Sequence, residues 1–145
     1  MDRRDWLTLL LGVGDASPLD PVRIQKGMFL LSKEGGLDEA EVYAFRAYDY
    51  GPFSSQIYQD LDELVEAGLV AYEPVPGYTW NRYRLTAAGL ADAQTLVDQL
   101  DPGRRGSARF IIELKKDVLS QSFNGLLRHV YDRYPDYAEN SIFSR

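Results

Sequence analysis

Apolar residues recur along this chain at two spacings, and the points where the spacing changes divide it into elements. Trp6, Leu7, Leu10 and Leu11 fall at helical intervals, which predicts a short helix over 3–11 ended by Gly12-Val13-Gly14. Asp20-Pro21 predicts the start of a second helix: Asp can cap free N–H groups, Pro fits the first turn, and Leu19 can staple onto Ile24. Ile24, Met28 and Leu31 share one face of that helix, and Gly35-Gly36 ends it. Residues 42–48 alternate and are rich in Val, Tyr and Phe, which predicts a short strand.

Gly51-Pro52 predicts a turn, and Ser54 the cap of a third helix over 54–67, with Phe53 stapled onto Tyr58. Ile57, Leu61, Leu64 and Val65 form its buried stripe, and Gly68 terminates it. A hairpin follows, pairing about 69–74 with 79–85 around Pro74-Val75-Pro76-Gly77. Thr86 caps a fourth helix carrying Leu90, Ala93, Val97 and Leu100, which Asp101-Pro102-Gly103 breaks. Two more helices are expected, about 107–119 with Phe110, Leu114 and Val118, and about 122–134 with Phe123, Leu127, Val130 and Tyr134. Pro135 closes the last and leaves a tail containing Tyr137, Ile142 and Phe143, with no internal repeat or low-complexity tract anywhere.

At 145 residues the chain is read as one domain, 1–145, with a core about 3–100 and a C-terminal helical extension about 104–145. Hydrophobic residues at 45% and charged residues at 26% match a globular protein and exclude a disordered or fibrous one. The absence of cysteine excludes disulfides, thiolate metal sites and cysteine nucleophiles. No apolar run approaches the length of a membrane helix, and the N-terminus lacks a signal-peptide pattern, so a cytoplasmic protein without membrane contact is expected.

Charge changes the picture, because the net −6 is unevenly spread. Residues 38–73 hold nine acids against Arg46 alone, whereas residues 104–116 hold Arg104, Arg105, Arg109, Lys115 and Lys116 against Glu113. An acidic total works against phosphate binding, which draws on positive potential, but a local basic face can still carry it.

The order helix, helix, short strand, helix, hairpin, helix is that of an α+β winged helix-turn-helix with additional C-terminal helices. The segment 54–70, with Leu61-x-x-Leu64-x-x-x-Gly68-Leu69-Val70, resembles the recognition helix and first wing strand of MarR- and PadR-type regulators. Tyr83-Arg-Leu-Thr-Ala-Ala-Gly89 resembles the same families' exit from the wing. Ile24-Gln-Lys-Gly-Met-Phe-Leu-Leu31, Tyr48-Asp-Tyr-Gly-Pro-Phe-Ser54 and Val130-Tyr-Asp-Arg-Tyr-Pro-Asp-Tyr137 together resemble the YwgA-like group and, more distantly, the SocA-like antitoxin domain. The resemblance spans roughly residues 20–142; it implies the winged-helix fold and assigns no activity.

Catalytic chemistry has little to stand on. His129 is the single histidine, mid-helix beside Arg128, with no serine or carboxylate pair placed for it. Gly12-Val-Gly14 lacks the third glycine and the preceding strand of a phosphate cradle and reads as a turn. Asp60, Asp62, Glu63 and Glu66 read as a solvated acidic helix face rather than a metal site. No catalytic residue, metal or cofactor is therefore expected.

The expectation is a non-enzymatic, DNA-binding transcriptional regulator. Ser54, Ser55, Gln56, Tyr58 and Gln59 stand at the N-terminal end of the third helix, where base edges and phosphates are met. Trp80, Arg82 and Arg84 share one face of the second hairpin strand, and Arg104, Arg105 and Arg109 add phosphate contacts to double-stranded DNA. The alternative is a protein-interaction or antitoxin-like module whose acidic and tyrosine-rich surface binds a partner. An acidic helix face and a basic block interleaved on one surface, with no continuous positive strip, would favour that alternative. Either way, surplus apolar faces on the C-terminal helices predict a homodimer.

Overall fold

The computed structural model describes residues 1–37 and 41–142. Asp38 and Glu39 of the acidic block and Phe143 of the predicted tail lie outside the described residues. The chain is α+β, with six α-helices and two small antiparallel sheets among the described residues. Helix α1 (Arg3–Gly12) begins in a capping box, in which Asp2 accepts from the Asp5 N–H while Asp5 accepts from the Asp2 N–H. Helix α2 (Pro21–Glu34) starts as its sequence predicts, with Asp20 accepting from the Arg23 N–H at 2.9 Å and Pro21 in the first turn. It is buried from Ile24 to Ser32, the central element of the core.

Strand β1 covers only Arg46–Tyr48 rather than 42–48, because Val42 and Tyr43 are both buried and break the alternation. Gly51-Pro52, expected as a turn, opens strand β2 (Gly51–Phe53), which pairs with β1 in the register Arg46↔Phe53 and Tyr48↔Gly51. Pro52 is tolerated because it needs no ladder N–H in a two-stranded sheet. Gly51 adopts φ +92°, and a Cβ there would lie 2.9 Å from the Tyr131 ring.

Helix α3 (Ser55–Glu66) is followed by the predicted hairpin, β3 (Val70–Pro74) with β4 (Asn81–Leu85), in the register Val70↔Leu85, Tyr72↔Tyr83 and Glu73↔Arg82. Leu19, from the α1–α2 connection, makes an isolated bridge to Tyr83 on the other side of β4. Thr86 caps α4 (Ala87–Asp98) by accepting from the Gly89 N–H at 3.1 Å.

Asp101-Pro102-Gly103 ends the preceding segment but does not break structure for long. Asp101 is the cap and Pro102 the first residue of α5 (Pro102–Asp117), which therefore begins five residues before the expected position. Helix α6 (Phe123–Arg133), capped by Ser122, leads through Pro135 into a 3-10 turn, Pro135–Ala138.

The buried side chains form one cluster to which all six helices, or the residues at their ends, contribute. Trp6, Phe29, Ile111 and Tyr131 are fully enclosed in it. Phe29 is ringed by Phe45, Tyr134 and Tyr137 at centroid distances of 5.3, 5.0 and 4.7 Å, which ties the C-terminal segment to α2. Leu100, Leu114 and Val130, expected to supply a dimer face, are spent inside the protomer, while Leu90 and Ile112 stay exposed. No helix among the described residues is long and apolar enough to cross a membrane.

Candidate functional site

The entry to α3 is held from beneath by α2. The Gln25 side chain accepts from the Ser54 N–H and donates to the Ser54 carbonyl, both at 2.9 Å, in a buried setting. This double bond set corrects the expected role of Ser54. Its side chain makes no capping bond, and the residue is buried rather than presented at the surface.

Ser55, Gln56 and Gln59 are exposed on the first turns of α3, and Tyr58 is partly so. The same helix then presents Asp62, Glu63 and Glu66 to solvent and carries no lysine or arginine. Asp60 departs from the expected solvated face: it is buried, paired with Arg3 at 2.8 Å and accepting the Tyr43 hydroxyl at 2.6 Å. Asp62 and Tyr58 both act electrostatically on Tyr83 of β4 or are acted on by it. Burial first, and then the Asp62 carboxylate, pushes the Tyr83 hydroxyl up. Burial first, and then Tyr83, does the same to Tyr58. Helix α3 packs on β3, with Tyr58 and Asp62 close enough to Tyr83 to be coupled to it electrostatically.

On the hairpin, Trp80 precedes β4, and its ring lies 4.4 Å from that of Tyr78 at the turn; both are exposed, as is Tyr72. Arg82 pairs across the strands with Glu73 at 3.3 Å and keeps its Nε buried without a partner. Arg84 is exposed, free of any ion pair among the described residues.

The basic block is divided: Arg105, Arg109 and Lys116 are exposed on α5, whereas Arg104 and Lys115 are engaged within the chain. Arg104 pairs with Glu41 at 2.6 Å. Lys115 is buried and donates to the carbonyls of Val13 and Asp15 at 2.8 and 2.7 Å; burial pulls its ammonium down to about 8. Arg105 and Arg109 are exposed and flank an apolar groove of about 440 Å³ with Val97 and Ile112. They stand on α5, which packs on α1 and α2, whereas α3 packs on β3. Among the described residues, Arg84 on the hairpin and Arg105 and Arg109 on α5 are the arginines expected at DNA that make no ion pair.

His129 is half-buried on α6, its imidazolium disfavoured first by burial and then by Arg133. Among the described residues no group of three histidine or carboxylate side chains is placed to hold a metal. The sequence gives no signal for Tyr72 and Tyr78 as surface aromatics, since strand alternation puts Tyr72 on the face of the buried Val70 and Tyr83. Sequence reasoning also passed over Gln25 and Lys26, whose signal is that two polar residues interrupt the apolar middle of α2. The chain matches no protein-family model and no curated protein.

Proposed function

We propose that the chain is a protein-interaction module on a winged-helix scaffold, using α3 and the β3–β4 hairpin as its contact face. The scaffold reading is supported by the order α1, α2, α3, β3, β4 and by Leu19, which enters between α1 and α2 and pairs with β4 as a short first strand does. This is also the arrangement that the YwgA-like and SocA-like resemblance implies.

One observation carries the function: the exposed acids of α3 sit where the helix itself disfavours them. Glu63 and Glu66 lie in the last turn, against the negative end of the helix dipole, with no basic residue in that turn. Among the described residues their one ion-pair partner is Arg4, which meets Glu63 in an exposed pair of little energetic weight. Such a face repels phosphate and attracts a basic surface. Tyr72, Tyr78 and Trp80 alongside supply the aromatic anchors that dominate protein contacts. The partner that fits is a protein with a basic patch beside an apolar pocket. Leu90 and Ile112, exposed on α4 and α5, support pairing of two copies, which sedimentation velocity tests.

A second reading, the DNA-binding regulator, is favoured by the exposure of Ser55, Gln56 and Gln59 at the N-terminal end of α3 and of Arg84 on the hairpin, which makes no ion pair among the described residues. Capture from the native cell, run alongside duplex-binding titrations, separates the two. The interaction module is expected to retain a protein that is lost with Asp62→Lys and Glu66→Lys, and to show no salt-dependent duplex binding. Duplex binding that weakens uniformly with Arg82→Ala and Arg84→Ala, and at particular base pairs with Gln56→Ala or Gln59→Ala, would overturn it.

A further inference from the structure

A second cavity, of about 200 Å³, opens where α2, the β1–β2 hairpin and the first turns of α3 meet. Its wall carries the rings of Tyr48, Tyr50, Phe53 and Tyr58 together with Gln25 and Lys26. Tyr48, Tyr50 and Tyr58 are each at least 36% exposed, so the cavity reaches solvent through its aromatic rim. Lys26 is only 2% exposed, and its Nζ donates to the Pro52 carbonyl at 3.1 Å. An ammonium has three N–H donors, and the other two have no acceptor among the described residues. A buried cation with open donors costs free energy unless something meets it.

The neighbouring charges decide what kind of group that is. Arg46 lies over the rings of Tyr48 and Phe53, its Cζ 4.8 and 5.8 Å from their centroids. The ring faces that would form a cage for an ammonium ligand are thus already engaged by a cation. Asp49 also lines the cavity, and Asp20 lies near Lys26 but is tied to Arg23. Lys26 in the wall and Arg46 over the Tyr48 and Phe53 rings thus face Asp49 as the one uncommitted carboxylate among the described residues there, which makes the surroundings of the cavity positive. Its volume is below the usual range for drug-sized ligands, about 300–1,000 Å³, so it suits a single ring rather than a nucleotide.

We propose that this cavity binds a small aromatic carboxylate, with Lys26 as counter-ion and the tyrosine rings packed on its apolar body. Burial pulls the Lys26 ammonium down to about 7, with Asp20 partly offsetting, so a bound carboxylate would hold the proton on the amine. The site is separate from the acidic face of α3, yet an occupant touches the Gln25 wall that holds Ser54 at the start of that helix. It does not depend on the partner reading.

Two-dimensional amide NMR of the full chain at about pH 6, titrated with benzoate, benzamide and benzyltrimethylammonium, tests this. Benzoate is expected to shift the Gln25 side-chain amide and the Gly51 and Ser54 backbone amides saturably, in the millimolar range that a small contact gives. Benzamide should bind at least tenfold more weakly, and the ammonium should not displace benzoate. Lys26→Met should weaken benzoate at least tenfold. Tyr50→Ala, at the exposed rim, should weaken it severalfold and keeps the test open should the buried variant fail to fold. Equal binding of benzamide, tighter binding of the ammonium, no saturable shift up to about 50 mM, or shifts confined to the Arg105–Arg109 groove would each overturn the proposal.

Discussion

Arg3 at the start of α1 grips Asp60 in the middle of α3 with two bonds, Nε to Oδ2 at 2.8 Å and a terminal nitrogen to Oδ1 at 3.3 Å. Tyr43 adds its hydroxyl to Oδ2 at 2.6 Å, so one carboxylate joins three parts of the chain. Asp60→Ala leaves Tyr43 without its acceptor inside the core and is expected to cost about 3 kcal/mol, the lower part of the range for a broken buried pair because Arg3 reaches solvent. Asp60→Asn, whose amide oxygen can still accept from Tyr43, should cost less. Urea unfolding at neutral pH checks both.

The buried lysines set a pH dependence. The Lys26 ammonium is pulled from 10.5 to about 7 and that of Lys115 to about 8, by burial in each case. Between those values and 10.5 the unfolded chain binds more protons than the folded one, so stability rises with pH through that window. Each lysine contributes up to about 1.4 kcal/mol per pH unit there. Lys26→Met should raise stability at pH 6, and the gain should shrink as the pH approaches 10. Denaturation midpoints across that range, wild type against variant, read the slope.

Two glycines should answer oppositely to the same methyl group. A Cβ at Gly89 would lie 2.0 Å from the Leu69 carbonyl oxygen, where α4 crosses the start of the hairpin. Gly89→Ala is therefore expected to cost upward of about 3 kcal/mol, since backbone rather than a side-chain tip must give way. Gly106, in α5, has nothing within 4 Å of the same position. Gly106→Ala should stabilise by about 0.5–1 kcal/mol through helix propensity. Thermal melts of the two variants suffice.

Gln25→Met removes both bonds to Ser54 while keeping the side chain's length. The Ser54 N–H is left buried without its acceptor while the Ser54 carbonyl keeps the Ile57 N–H at 3.3 Å, so the loss should be about 1–3 kcal/mol. Faster amide exchange at Ser54 and Ile57 than in the hairpin would locate the damage at the entry to α3.

Local punctuation carried most of the fold. Asp20-Pro21 and Thr86 are caps whose bonds the structure contains, and Gly68 ends α3 at φ +78°. Asp101-Pro102-Gly103 was misread because the same three residues serve a stop and a start: Pro excludes a continuing helix but suits a new first turn. The site was less legible, since it depends on long-range partners. Asp60 and Asp62 look alike in the sequence, yet Arg3 and Tyr43 draw one inside while the other stays in water. Ser54 looks like an ordinary cap until Gln25, 29 residues earlier, claims its backbone.

The bridge between Leu19 and Tyr83 also bears on how the molecule behaves in a crowded solution. Its two reciprocal bonds, 2.9 and 2.8 Å, occupy β4 on the side away from β3 at the middle of the strand. A strand from another molecule seeking to extend the hairpin then has only the free side of β3, five residues long and ending in Glu73-Pro74. Charge and proline are what a strand edge uses to resist such additions. A hairpin rich in tyrosine and valine, the composition that feeds amyloid-like stacking, is left with little backbone on which a stack could start.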